Sequence, residues 1–304
     1  MKKKIYISLL DYNGKKNTLE CLRSLDKIDI AETQTSILVI DNASKDPILE
    51  EELQTKNIPT KLITNKENLG FAGGHNVGMK YAFENNADYI LLLNNDTEVD
   101  PKFMTELLKV AEADSNIAAV GSKIYFAKGH EFHKSRYKES ELGRIFWYAG
   151  GLTDWDNVYG VHRGVDEVDA GQYNKDEETD FASGCSILLR VGTLKEVGLF
   201  DDRYFLYYED GDLQERIKRA GYKIYYAPKS VIWHINAASS GGSGSPLQDY
   251  YISRNRMLFG FLYAPIKTKF ALLRESLRIM INGRDWQKKG VRDFYLKKFG
   301  KGSF

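Results

Sequence analysis

The chain has 304 residues, 42% hydrophobic and 12% aromatic, enough to bury a full core as one large domain or one domain with an appendage. A formal net charge of +1 excludes a uniformly basic nucleic-acid binder, yet from Tyr251 to Phe304 there are 13 Lys and Arg against 3 Asp and Glu. Two cysteines without metal-like spacing, Cys21 and Cys185, exclude a disulfide scaffold and suit a reducing cytosol.

Met1-Lys2-Lys3-Lys4 precedes the apolar run Ile5 to Leu10, which Asp11-Tyr12-Asn13-Gly14 cuts short of a signal-peptide core, so a first strand is expected there. Leu19, Leu22, Leu25 and Ile28 recur at helical spacing behind a cap at Asn17 or Thr18. Ile37 to Ile40 reads as a second buried strand ending at Asp41, and Lys61 to Thr64 as a third leading into a loop from Asn65 to Gly74. Asn76 to Phe83 reads as helix. Tyr89 to Leu93 has apolar residues on both parities, the mark of a strand buried on both faces, and it ends abruptly in Asn94-Asn95-Asp96. Such alternation implies a mainly parallel sheet with polar loops gathered along one edge.

After Pro101, the residues Phe103, Leu107, Leu108 and Ala111 predict an amphipathic helix. Ala127 to Asp180 shows no clear period and reads as an insertion. Gly184 to Arg190 is an expected strand, Asp212 to Ala220 an expected helix ending at Gly221, and Ile224 to Trp233 one or two further strands. Ala237 to Ser245 is rich in Gly and Ser and reads as a linker or as a lid over a ligand. Beyond Pro265, Ile266, Phe270, Leu273, Leu277 and Ile281 mark one face of a helix whose other positions are rich in Lys and Arg.

Acidic residues stand at strand ends or in loops: Asp41, Asp96, Asp180 and the run Glu209-Asp210-Gly211-Asp212. A hard divalent cation takes oxygen ligands and often combines one or two carboxylates with substrate phosphates, so a carboxylate at a strand end suits a Mg2+ or Mn2+ nucleotide site. Asp96 as a turn cap and Asp41 as the opener of an Asx turn are the competing readings.

Taken in order, the motifs resemble the family 2 glycosyltransferases, above all their bacterial rhamnosyltransferase-like branch. They are Asp11-Tyr12-Asn13-Gly14, Val39 to Asp46, Asn65 to Gly78, Leu93 to Val99, Asp180 to Cys185, Phe205 to Leu213, and Trp233-His234. The resemblance implies a GT-A fold, a Rossmann-like α/β architecture with a mixed, mainly parallel sheet flanked by helices. The catalytic domain would span residues 1–245, and a basic amphipathic helical extension residues 246–304.

It also implies an inverting, metal-dependent hexosyltransferase moving a sugar such as L-rhamnose from a dTDP or UDP donor to a hydroxyl of a bacterial surface glycan or lipid-linked acceptor. Asp210 would be the base, with Glu209 beside it raising its pKa together with Asp212. Donor contacts would come from Tyr12, Asn13, Asp41 (the base edge), Asn68, Gly74, Asn94, Asn95 and Arg254 (the diphosphate), with Arg256 in reserve. Asp180 would face acceptor or sugar. Asp96 and His234 would hold Mn2+ or Mg2+. The family usually has Asn where this chain has His75, which also reads as a solvent-facing side chain. A non-catalytic nucleotide-sugar or glycan-binding protein on the same fold is the second reading of the whole. For the tail, basic residues interleaved with Trp286, Phe294, Tyr295 and Phe299 suit an anionic membrane surface, a homo-oligomer interface is the alternative, and nucleic acid is not expected. The expected location is cytoplasmic, peripheral on the inner face of the plasma membrane.

Overall fold

Strands with apolar side chains on both parities need cover on both faces, and the chain builds its centre from them. The computed structural model describes residues 2–235 and 244–304. In chain order it has β1 (Lys3–Asp11), α1 (Lys15–Leu25), β2 (Thr33–Asp41), β3 (Thr60–Thr64), α2 (Gly70–Glu84), β4 (Tyr89–Asn94), β5 (Thr97–Val99), α3 (Phe103–Ala113) and β6 (Ile117–Phe126). There follow β7 (Phe146–Tyr148), β8 (Gly151–Asp154), β9 (Tyr159–His162), β10 (Glu177–Glu178), β11 (Ser186–Arg190), α4 (Val191–Val197), α5 (Glu209–Arg219) and β12 (Lys223–His234). The described chain closes with α6 (Pro246–Tyr263), α7 (Ile266–Asn282) and α8 (Asp285–Tyr295).

The main sheet runs β10-β12-β6-β11-β4-β1-β2-β3. β1 is parallel to β2 and β4, whereas β11 enters antiparallel between β4 and β6. In β4, Tyr89, Leu91 and Leu93 join the core built with Leu22 of α1 and Phe103 and Leu107 of α3. Ile90 and Leu92 face the opposite core, with Met79 of α2 and Leu213 and Ile217 of α5. The result is a three-layer α/β architecture. Because strand order reverses at β1, a crevice opens outside the carboxyl ends of β1 and β4, where ligands of such sheets bind. Register sets Asp11 beside Asp41 and Leu10 beside Asn94, so the polar strand ends converge on that crevice.

Two elements differ from expectation. The stretch expected as a loop to Gly74 becomes helical from Gly70, and Ile117–Phe126, not anticipated as a strand, is buried along its whole length. The 127–180 insertion is knitted into the sheet, β7 pairing with β6 and β10 with β12. The expected lid or linker at Ala237 to Ser245 lies, up to residue 243, outside the described residues. Ser245 caps α6 by accepting a hydrogen bond from the Gln248 backbone N–H at 3.3 Å. α6 packs its Phe259 in a stack on Trp155, with ring centroids 5.6 Å apart. Among the described residues, no helix is long and apolar enough to cross a membrane.

Candidate active site

The crevice is organised around Asp11, a fully buried carboxylate at the end of β1. It accepts hydrogen bonds from Thr18 Oγ1 (2.7 Å), Ser44 Oγ (3.0 Å) and Asn95 Nδ2 (3.0 Å), tying the ends of β1, β2 and β4 together. Thr18 therefore serves Asp11 and does not cap its own helix, whose N-cap is Gly14. Asn95 also donates to Thr18 Oγ1 at 2.8 Å, so its amide group braces the strand end. Neighbouring Asn94 leaves the sheet with its backbone N–H on the Cys185 carbonyl at 2.9 Å. Asn13, in the left-handed region, accepts from the Lys45 N–H and leaves Tyr12 half exposed beside it.

Asp41 is fully buried at the end of β2. Its Oδ1 accepts from the Ser44 N–H at 2.9 Å, the Asx turn anticipated from sequence, while its Oδ2 is buried without a protein partner. An acceptor stripped of water without a donor is costly, and it points to a donor supplied from outside the chain.

Asn68 accepts from Asn42 Nδ2 (2.9 Å) and from the Gly70 N–H (2.8 Å), which starts α2. Gly70 has φ +72°, and a Cβ on it would meet the Phe205 carbonyl at 2.3 Å. The expected role of Gly74 as a loop opening for the donor is corrected here. It lies inside α2 against β1, where a Cβ would sit 2.4 Å from Leu10 Cδ1, so its small size lets helix and sheet approach. His75 is likewise not solvent-facing: it is fully buried, its Nδ1 lies 3.0 Å from Ser8 Oγ, and burial pushes its pKa down to about 3. A neutral imidazole in this place belongs to the core.

Glu209 and Asp210 open α5, where acidic groups complement the helix dipole. Asp210 is half-buried, and its Oδ2 accepts from the Gly184 N–H at 3.1 Å. Gly184 adjoins Cys185, the residue bonded to Asn94, so the base candidate sits next to the end of β4. Burial raises the Asp210 pKa, against the backbone N–H groups of Gly184 and Gly211. The expected cause, repulsion from Glu209 and Asp212, is not the operative one. Asp212 is compensated by Arg216 at 2.8 Å and bonded by the hydroxyls of Tyr204 and Tyr263. Repulsion falls on Glu209 instead: burial first, then Asp210 and Asp212, hold its carboxyl well above the usual range, and its Oε2 has no partner.

The loop before this pair is strained, with Phe205, Tyr207 and Tyr208 all at positive φ. What holds it is a clamp from α6 that sequence reasoning assigned otherwise. Asn255 donates to the carbonyls of Tyr204, Leu206 and Tyr207 at 2.8 to 2.9 Å. Arg254 is fully buried, donating to the carbonyls of Lys298, Gly300, Arg203 and Tyr204 and to Asn255 Oδ1. With every guanidinium N–H engaged, Arg254 has none left for a diphosphate, which corrects the expected contact. Arg256 pairs with Glu275 at 2.7 Å and is also turned away from that role. Asn255→Ala is expected to cost about 1–3 kcal/mol of stability through unsatisfied carbonyls. It should also lower kcat without weakening nucleotide binding, because the loop it releases leads directly into Glu209 and Asp210 at the start of α5; unfolding midpoints and a kcat against Kd comparison check this.

Asp96 and His234 meet across the sheet edge, Oδ1 to Nε2 at 3.1 Å, both nearly buried. β5 turns Asp96 toward β12, pairing Thr97 with His234, and the Trp147 ring packs edge-on against the imidazole at 4.8 Å. That spacing matches two adjacent ligands on an octahedral ion with bonds of about 2.1 Å. Among the described residues, no group of three His, Cys, Asp or Glu side chains is placed to hold a metal. The pair therefore fits a cation whose other ligands are phosphate and water. Asp180 stands apart, accepting from the Thr153 N–H at 2.8 Å and lining a cavity of about 270 Å³ with Arg163 and Lys218.

The model of the family described as glycosyl transferase family 2 matches residues 11–198. The N-acetylglucosaminyl-diphospho-decaprenol L-rhamnosyltransferase of Mycobacterium tuberculosis is 26% identical over 232 residues, 72% of this chain and 73% of that protein. The dTDP-rhamnosyl transferase RfbF of Shigella flexneri is 22% identical over 267 residues, 85% of this chain and 80% of that protein. Among solved structures, GalNAc-T7 with UDP, GalNAc and Mn2+ aligns with TM-score 0.68 at 16% identity over 96% of this chain, which spans about half (54%) of that longer chain. The mannosyltransferase PcManGT from Pyrobaculum calidifontis, in complex with GDP-Man and Mn2+, aligns with TM-score 0.58 at 13% identity, covering 100% of this chain and 77% of that one. At such identities these likenesses establish the fold.

Proposed function

The chain belongs to glycosyl transferase family 2 and has the GT-A fold, and from that premise we propose an inverting, divalent-metal-dependent sugar transferase using a nucleotide-diphosphate donor. The observation that carries this reading is one juxtaposition at the carboxyl end of β4. A half-buried carboxylate with raised pKa, Asp210, shares that edge with the Asp96–His234 pair.

The donor's base lies at the end of β2, where its edge N–H satisfies the orphaned Asp41 Oδ2, with Tyr12 and Asn13 beside it. Asp96 and His234 would hold Mn2+ or Mg2+, and imidazole favours manganese over magnesium. When bound, the ion offsets the charge that develops on the departing diphosphate. Asp210 accepts the proton of the acceptor hydroxyl as its oxygen forms a bond to the anomeric carbon, and the bond from that carbon to the diphosphate breaks on the opposite face. Asn94 and Asn95 line the donor side. Asp180, further out, faces sugar or acceptor.

The dTDP-rhamnosyl transferase of Shigella flexneri supports a dTDP-rhamnose donor, and the L-rhamnosyltransferase of Mycobacterium tuberculosis, named for a decaprenol-linked substrate, supports L-rhamnose and a lipid-linked glycan acceptor. Calorimetry of dTDP, UDP and GDP with and without Mn2+, followed by hydrolysis of the matching rhamnose donor, tests the reading. Metal-dependent binding of dTDP or UDP with slow donor hydrolysis is expected. Affinity indifferent to metal would remove the site, and binding without any hydrolysis or transfer would favour a non-catalytic nucleotide-sugar binder.

A further inference from the structure

α7 is an amphipathic helix mounted with its apolar face outward. Toward the protein it buries Thr268, Leu272 and Ser276, at 4%, 2% and 0% exposure. Toward solvent it presents Ile266 at 69%, Phe270 at 66%, Leu277 at 63% and Ile281 at 73%. With Leu273 and Met280, these residues recur at three- and four-residue steps along 17 residues, forming one continuous stripe. Exposed apolar side chains scattered singly need no explanation, but a stripe of this length along one helix marks a surface that is covered in use.

The rim decides what covers it. Lys267, Arg274 and Arg278 flank one side of the stripe and Lys269 the other. The single acid of the helix, Glu275, is already paired with Arg256. A second copy docking by two-fold symmetry would set these cations against their own duplicates with no acid to meet them. An anionic bilayer meets them with phosphate and accepts the stripe among its acyl chains. The aromatics expected to serve this purpose do so only in part. Phe294 turns inward onto Phe261, with ring centroids 5.4 Å apart, and Trp286 packs on Phe304 at 4.9 Å. Tyr295 stays half exposed beside α7, its hydroxyl on Ser276 Oγ at 2.6 Å.

The geometry points to α7 as a membrane-docking helix that lies in the plane of an anionic bilayer, embedding Ile266, Phe270, Leu277 and Ile281. This assignment rests on α7 alone and not on the transfer chemistry. Flotation of the full chain with phosphatidylcholine vesicles containing phosphatidylglycerol tests it, with pure phosphatidylcholine as control. Binding is expected only to the anionic vesicles and is expected to weaken with added salt. Phe270→Ser combined with Leu277→Ser is expected to lower that partitioning by about a hundredfold or more, since two exposed apolar side chains are lost from the buried face. The double variant should keep its far-UV spectrum and its nucleotide affinity, which separates failure of docking from failure of the donor site. No binding of the wild type to anionic vesicles overturns the assignment. So does a dimer in light scattering that the double substitution splits, because the stripe would then be covered by a second copy.

Discussion

Asp210→Asn is expected to lower turnover by about 10²–10⁴-fold, the usual contribution of a positioned base, while donor affinity stays at the wild-type level. The change is nearly isosteric, and the amide oxygen can still accept from the Gly184 N–H that now holds the carboxylate at 3.1 Å. What it removes is the capacity to take a proton. The sign of the stability change follows from the direction of the pKa shift. Burial raises the Asp210 pKa in the folded chain, so between its ordinary value and the raised one the native state binds more protons than the unfolded state. Stability therefore falls as pH rises through that window, and the ionised group costs stability at neutral pH. Asn mimics the neutral form, but its amide nitrogen cannot accept from the Gly211 N–H that meets Oδ1 at 2.8 Å, so near neutrality the lost bond offsets the relieved charge and the inactive variant should melt close to the wild type. Glu209 shifts in the same direction, from burial and from the charges of Asp210 and Asp212, and adds to the trend. Wild-type activity should fall in acid as Asp210 protonates, at a pH raised from the ordinary aspartate value by burial. Initial rates and melting curves across pH check both parts, and near-normal turnover of the variant would remove Asp210 from the base role.

The strands that position the site were legible because their apolar residues fall on both parities: β1, β2 and β4 lie where the runs at Ile5, Ile37 and Tyr89 predict. β6 was not, because Gly121, Ser122 and Lys123 interrupt its apolar pattern. Their partners lie far away in sequence. Ser122 bonds to the hydroxyls of Ser186 and Ser230, and Lys123 pairs with Asp169. Only tertiary structure makes such a strand internal. The same reason governs the site. Asp41, Asp96, Asp210 and His234 are visible as polar groups ending apolar runs. Arg254 reads as an anion ligand from its charge, although its guanidinium is buried among backbone carbonyls. Gly74 reads as a loop glycine when its use is close packing on Leu10. Asp11 stands at a strand end just as Asp41 does, and that parallel could have flagged it.

Asp96→Asn is expected to abolish the dependence of nucleotide-diphosphate binding on Mn2+ and to lower turnover by about 10²–10³-fold, the scale of losing one electrostatic stabiliser of the leaving group. Asp96 is the only carboxylate of the pair, and the residue two positions before it is the neutral Asn94. Cation affinity in the free protein should therefore be modest, and binding should appear only when the nucleotide supplies its phosphates. His234→Ala should cost less, because a water can take the place of imidazole. A purely structural pair makes a different forecast. His234 Nε2 lies 3.1 Å from Asp96 Oδ1, so breaking the contact in either variant would lower the melting temperature in the apo protein and leave the response to metal unchanged. A ligand that binds only the native state raises the melting temperature by mass action. Mn2+ with dTDP or UDP should thus stabilise the wild type, stabilise His234→Ala less and leave Asp96→Asn unmoved, while neither metal nor nucleotide alone does as much. If Asp96→Asn responds to the combination as the wild type does, the carboxylate is a strut between β5 and β12, and the metal must be held elsewhere.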